Sequence, residues 1–282
     1  MVIVRVRTNL GLVPGVERLG DALLEAGLAE GLGAELGPVV EAPPYRHERE
    51  HDLLNRDALA RVAAEQAAVV GEVLDSERFP IVLGGDDSVI FGTLLALRER
   101  GVHGLVFLDA HTDFYPPAGS PTGQASDSEL YLAFHREGAL GWSGPLVTGE
   151  RAALIGHRDP DEPGDTGELV ADSGALVITL EQVRELGVAE TARRALARVG
   201  GPFLLHIDAD VLDDDLMPAV DYRLPGGLSA AEFTELVSLL PAAALDVAIY
   251  NPALDPDGTA GRTLARCLVE GLGQQVEQPV DG

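Results

Sequence analysis

Three short stretches of this 282-residue chain gather side chains that could hold a metal or move a proton. They are Gly84-Gly85-Asp86-Asp87-Ser88, Asp109-Ala110-His111-Thr112-Asp113 and His206-Ile207-Asp208-Ala209-Asp210. In an extended segment, residues two apart point the same way. Asp109, His111 and Asp113 can therefore address one point, and Asp208 and Asp210 share a face likewise. Like charge at this density beside apolar runs is costly unless something neutralises it, and few basic residues stand nearby in sequence. A divalent cation would do so. Carboxylates with one imidazole select a hard or borderline ion; Mn2+ fits best, with Mg2+, Fe2+, Co2+ and Zn2+ as alternatives. Two ions sharing bridging carboxylates would activate a water between them. A single Asp at a strand end is ordinarily a turn residue or a cap; two such patterns at two strand ends weigh against that. His206 reads as a hydrogen-bonded core residue rather than a ligand. His47, His51, His103 and His135 read as surface residues, and Asp213 to Asp215 as a solvated turn.

Each stretch follows an apolar run of strand type: 81–83, 105–108 and 203–205. Further strands are expected at 2–6, 38–40, 152–155, 176–179 and 245–250, with the third run continuing to 208. Helical periodicity falls at 16–28, 56–75, 181–198, 229–240 and 259–272, and Ser88 is placed to cap a helix running to about Arg100. Loops are expected at 43–51, 110–126 and 156–168. This alternation predicts a mostly parallel sheet with helices on both faces, and in such sheets ligands sit at the carboxyl ends of strands. A single α/β domain over residues 1–273 with a frayed tail at 274–282 is the expected organisation.

Composition narrows the partners. Twenty Lys and Arg against forty-six Asp and Glu give a net charge of −26, which disfavours nucleic acid and anionic membrane surfaces. One cysteine, Cys267 in a predicted helix, excludes an internal disulfide or a Cys-rich zinc site. The opening residues, Met1 to Arg7, do not read as a signal peptide, and no apolar run approaches the ~20 residues of a membrane span; a cytoplasmic protein is expected. There is no P-loop and no G-x-S-x-G elbow, and Gly31 to Gly37 lacks dinucleotide spacing.

Together the three stretches resemble the ureohydrolase family of arginases, agmatinases and formiminoglutamases, whose signatures are GGDHS, DAHxD and DxDxxDP. The resemblance runs almost the whole length, through Gly11 to Gly20, Ile155 to Asp161, Pro225 to Ser229 and Asn251 to Asp255. It implies an arginase-like three-layer α/β sandwich, two Mn2+ ions and a homo-oligomer acting on a small molecule. By position it makes Asp109 and Asp208 bridging ligands, adds Asp87 and Asp113 to the first site, and adds His111 and Asp210 to the second. Asp161 matches a carboxylate that receives a substrate amino group.

Four positions depart from the family pattern. Asp87 stands where the family has a metal-binding His, and four aspartates on one ion would weaken it as a Lewis acid. Ser126 falls where the family carries a proton-transferring His, and Ile249 where a Glu grips the guanidinium. Tyr222 replaces a small Thr near that group, while Tyr115 stands at the position of an Asn that helps bind an α-carboxylate. The expected activity is hydrolysis of non-peptide C–N bonds in an amidine- or guanidino-type substrate by a metal-generated hydroxide. Asp210 or a water would pass the proton to the leaving amine, and if Asp87 tilts away the first site is weak or empty. The alternatives are a catalytically silent binding or assembly subunit, and a single-zinc amide hydrolase using Asp109, His111 and Asp208.

Overall fold

Nearly unbroken apolar runs form parallel strands covered on both faces. The computed structural model describes residues 1–135, 140–159 and 170–277. Its strands are β1 (Val2–Arg7), β2 (Glu35–Glu41), the short β3 (Arg49–Glu50) and β4 (Leu53–Leu54), then β5 (Pro80–Leu83), β6 (Gly104–Leu108), β7 (Ala152–Ile155), β8 (Leu176–Ile178), β9 (Phe203–Asp208) and β10 (Ala244–Ala248). Eight of them form one sheet in the order β2-β1-β5-β10-β9-β6-β7-β8. Every pairing in it is parallel, while β3 and β4 make a separate antiparallel pair. The four strands β5, β10, β9 and β6 are adjacent and point the same way, so the segments leaving their carboxyl ends meet above the middle of the sheet.

The helices are α1 (Leu19–Glu25), α2 (Leu28–Leu32), α3 (Arg56–Asp75), α4 (Val89–Arg98), α5 (Glu129–Phe134), α6 (Leu180–Leu186), α7 (Val188–Val199), α8 (Ala230–Ser238) and α9 (Thr259–Glu277). α3 and α4 pack together on one face with α5 against α4; α1, α2, α9, α8 and α7 form a continuous layer on the other. The result is a three-layer α/β sandwich. The apolar stripe of α3, with Leu59, Val62, Ala63, Val70 and Val73 buried, follows the helical period. Gln66 is buried in that stripe, and its amide donates to the Val89 carbonyl and the Thr93 hydroxyl at 2.6 and 2.9 Å, tying α3 to α4.

Several boundaries differ from expectation for identifiable reasons. The helix read over 16–28 is interrupted by Gly27 in a left-handed conformation (φ 90°), and the one over 181–198 breaks at Gly187 (φ 81°). Ser88 precedes α4 but makes no side-chain cap; instead its N–H donates to Asp86 Oδ1 at 3.0 Å. Ser229 does cap α8, in a reciprocal box with Glu232. Residues from Gln274 on, expected as tail, are helical through Glu277. The Gln275 amide donates to the carbonyls of Val237 and Leu240. Cys267 is buried. No helix among the described residues is long and apolar enough to cross a membrane.

Candidate metal centre

The acidic stretches converge through turns rather than through strand alternation. Asp109 follows β6, with its N–H on the Ile155 carbonyl at 3.1 Å, and its Oδ1 accepts the N–H of His111 at 2.6 Å. Asp208 ends β9, and its Oδ1 accepts the N–H of Asp210 at 2.6 Å, closing the tight turn Ala209–Val211. In both, a leading Asp folds the chain back on its own backbone, so the extended geometry expected for 109–113 gives way. Asp113 completes that segment with φ 45°, a left-handed conformation that Asp tolerates. After β5, buried Asp86 plays the turn-making part. It accepts from Ser88 N–H and from the Thr8 hydroxyl at 3.2 Å, which leaves Asp87 facing the cleft. Gly85 permits this. A Cβ there would land on the carbonyl oxygen of Thr8, at the exit of β1.

Asp210 joins two of the strand ends. Its Oδ1 accepts the Ala110 N–H at 3.0 Å, and its Oδ2 lies 2.9 Å from Nδ1 of His111. Nε2 of His111 is 4.0 Å from Asp159. The guanidinium of Arg158 donates to the main-chain carbonyl of Asp210 at 2.8 Å, holding the turn from outside.

Above these groups lies a cleft of ≈ 250 Å³. Asp87, His111, Asp113, Asp208 and Asp210 face it, with Asp109 buried beneath. Tyr115, Ser126, Tyr222 and Ile249 also line it, together with Leu12 and Pro121. The sequence positions counted out for substrate contact therefore converge, except Asp161, which lies outside the described residues. Tyr222 stands 54 % exposed at the mouth. Ile249 has φ 72°, an unusual conformation for a β-branched residue. Its N–H donates to the Gly85 carbonyl at 2.7 Å, joining the end of β10 to the loop after β5.

Below the cleft sits a pairing that sequence reading missed. His206 is 0 % exposed and stacks on Phe107, with centroids 4.8 Å apart and planes at 7°. Its Nδ1 is 2.8 Å from Asp246, directly opposite it in the β9–β10 register, and its Nε2 is 3.4 Å from Asp87. Burial alone would lower the imidazole pKa. The charge of Asp246, the hydrogen bond to it and the proximity of Asp87 outweigh that and push His206 up to about 10. His206 is thus a core residue, as read, but one flanked by two buried acids. A clue was available: His206 and Asp246 are each a polar interruption of an apolar parallel strand.

The other charges are equally unsettled without a cation. Burial, with the charges of Asp109 and Asp86 against the pull of His206, raises Asp87 to about 7. Burial and the charge of Asp210 raise Asp109, and burial with Asp210, Asp109 and Asp87 raises Asp208 far above the carboxylate range. Burial opposes protonation of His111, yet Asp210 and Asp109 carry it up to about 11. Asp210 is lowered despite burial, because His111 sits against it.

These residues fit a divalent cation. Ligand atoms of Asp109, His111 and Asp210 lie within 4.8 Å of one another, and so do those of Asp109, Asp113 and Glu129. Asp87 and Asp208 stand in neither group, although both face the same cleft. Oδ2 of Asp109 and Oδ1 of Asp87 are buried and have no hydrogen-bond partner among the described residues. Oxygen donors with one imidazole are the chemistry of Mn2+ or a similar ion. Glu129 was not singled out from sequence. Its only signal is its place just before the short apolar run Leu130 to Phe134 that makes α5.

Known proteins share this sequence pattern and fold. The Arginase family profile matches residues 15–272. The arginase of Bacillus caldovelox is 30% identical over 262 residues, covering 86% of this chain and 87% of that protein. The arginase of Brevibacillus brevis is 29% identical over 232 residues, covering 78% of this chain and 77% of its own length. The solved native structure of the Bacillus caldovelox enzyme superposes with a TM-score of 0.88 at 26% identity, covering 99% of this chain and 98% of that one.

Proposed function

This chain belongs to the arginase family, and from that premise we propose that it is a Mn2+-dependent hydrolase of non-peptide C–N bonds. Its substrate is a linear amidine or guanidino-type group other than a simple cationic guanidinium. One observation carries the reading: buried carboxylate oxygens without partners gather at the ends of adjacent strands, beneath a small cleft. When bound, the cations supply Lewis acidity and a coordinated water of lowered pKa. Asp109, Asp113, His111, Asp208 and Asp210 are the residues that would hold them. Asp210 faces the cleft, where its carboxylate can accept a proton and return it to the leaving amine. Ser126 offers a hydroxyl that has no hydrogen-bond partner among the described residues. Tyr115 and Tyr222 give the cleft two phenols able to meet a polar substrate group. Ile249 supplies an apolar wall and no acceptor, so a guanidinium loses its charge-assisted partner there. The name arginase carried by the relatives is therefore taken for the class of chemistry and not for the substrate.

The test is a panel of guanidino acids, N-hydroxyguanidines, formimino amino acids and primary amides, offered to Mn2+-loaded protein. Release of urea or ammonia from one class, abolished in D109A and D208A, supports the proposal. No release from any class by protein that has taken up Mn2+ overturns it in favour of a silent binding subunit, the reading that Ile249 and Ser126 favour. The homo-oligomer implied by kinship is part of the proposal, and a single-chain mass in light scattering would remove it.

A further inference from the structure

Glu129 has no part in the proposed chemistry, yet its carboxyl group is fully buried. It opens α5, it is 0 % exposed, and neither carboxylate oxygen has a hydrogen-bond partner among the described residues. A buried carboxyl group in that state costs free energy unless something is bound to it. One of its oxygens lies within 4.8 Å of an oxygen from Asp109 and one from Asp113. Around a hard cation with bonds of ~2.1–2.6 Å, ligand oxygens on opposite sides stand roughly 4–5 Å apart, so the three fit a common ion. Asp109 also belongs to the group with His111 and Asp210, and its Oδ2 is a second buried oxygen without a partner. The two groups thus share one carboxylate, as two neighbouring ions would require.

Asp87 stands differently. Its Oδ1 faces Nε2 of His206 at 3.4 Å, and His206 is fixed from its other side by Asp246 at 2.8 Å. Asp87 already faces a buried imidazole and lies outside both groups. Glu129 has no imidazole or other ion-pair partner of this kind among the described residues.

We propose that Glu129, not Asp87, completes with Asp109 and Asp113 the site for one of two divalent cations. Asp87 is instead the outer member of the buried row Asp87–His206–Asp246, a positioning residue on the cleft wall. The inference rests on the proposed metal dependence and names which carboxylate serves it. It makes the site one of three carboxylates, which favours Mn2+ or Mg2+ over softer ions.

The test compares full-length wild type, E129Q and D87N. Each is stripped with chelator, reloaded with Mn2+, desalted and assayed by elemental analysis, with both affinities measured by titration calorimetry. Wild type is expected to hold two equivalents, D87N two, and E129Q one, or a second bound at least about tenfold more weakly. A metal-linked rise in melting temperature should shrink in E129Q, while its metal-free form melts no lower than wild type, because a buried carboxyl group without a hydrogen-bond partner has gone. Should E129Q not fold, E129D keeps the charge and withdraws it by one methylene, and it must weaken one of the two ions at least about tenfold. Two equivalents at wild-type affinity in E129Q or E129D overturn the assignment, and so does loss of an equivalent in D87N alone. No uptake by wild type overturns the metal dependence itself, a result distinct from either.

Discussion

Replacing His206 with alanine should be among the most damaging single changes in the chain, and its cost can be worked from the geometry. The imidazole is fully buried, 2.8 Å from Asp246 and 3.4 Å from Asp87. Removing it leaves two buried acids without the cation between them. Removing one partner of a buried ion pair costs about 3–5 kcal/mol, and the stack on Phe107 adds roughly 0.5–1.5 kcal/mol. At about 2–4 °C per kcal/mol for a large domain, the metal-free H206A protein should melt roughly 10 °C or more below wild type. A cycle of H206A, D246N and the double variant separates charge from packing, with an expected coupling of at least about 1.5 kcal/mol. The pH dependence follows from the raised pKa. A histidine bound more tightly to its proton in the folded state contributes fully below about 6.5 and loses that contribution as pH climbs through about 10. The gap between wild type and H206A should therefore narrow steadily between pH 7 and 10.5. Thermal unfolding followed by circular dichroism, with chelator present, measures all of this. Additivity in the cycle together with a gap that does not change with pH would refute a charged His206.

Other expectations can be checked in the same preparations. G85A should lose at least about 2 kcal/mol by urea denaturation, because a Cβ meets the Thr8 backbone rather than a yielding side chain; a midpoint equal to wild type would contradict the packing described. Mn2+ uptake near pH 7 should expel about one proton from His111, which is raised to about 11 in the metal-free protein. Apparent affinity should consequently rise with pH, and calorimetric heats should differ between buffers of unlike ionisation enthalpy; equal heats would count against it. I249E, which places a carboxylate on the apolar wall, should bind a guanidinium compound at least about tenfold more tightly, the size of one charge-assisted pair of ~1.5–3 kcal/mol. Unchanged affinity would mean that Ile249 does not face the bound group.

What could be read from the chain depended on how local each signal was. α3 appears over 56–75 as expected because its apolar positions alone fix the period and the buried face. The Asp-rich stretches stood out because several acids follow an apolar strand directly, and strand ends of a parallel sheet converge by construction. Their detailed path was not legible. Hydrogen bonds from the His111 N–H to Asp109 and from the Asp210 N–H to Asp208 decide it, and these compete with extended backbone over two residues. Nothing local joins His206 to Asp246, since register between two strands forty residues apart creates that pair. Glu129 escaped for a similar reason: an acid beside Asp127 and Ser128 looks like ordinary loop sequence until α5 turns it inward.

The hydrogen bond from Ile249 to the Gly85 carbonyl ties the apolar wall of the cleft to the acidic loop after β5. The wall that would meet a ligand and the glycine hinge next to Asp86 and Asp87 are stitched by one main-chain link, so a nudge to either travels to the other. On the proposed function, a lineage that reshapes position 249 for a new molecule would also shift the acidic loop beneath it. New specificities on this scaffold would then arise as paired changes, one in the wall and one in the acids beneath.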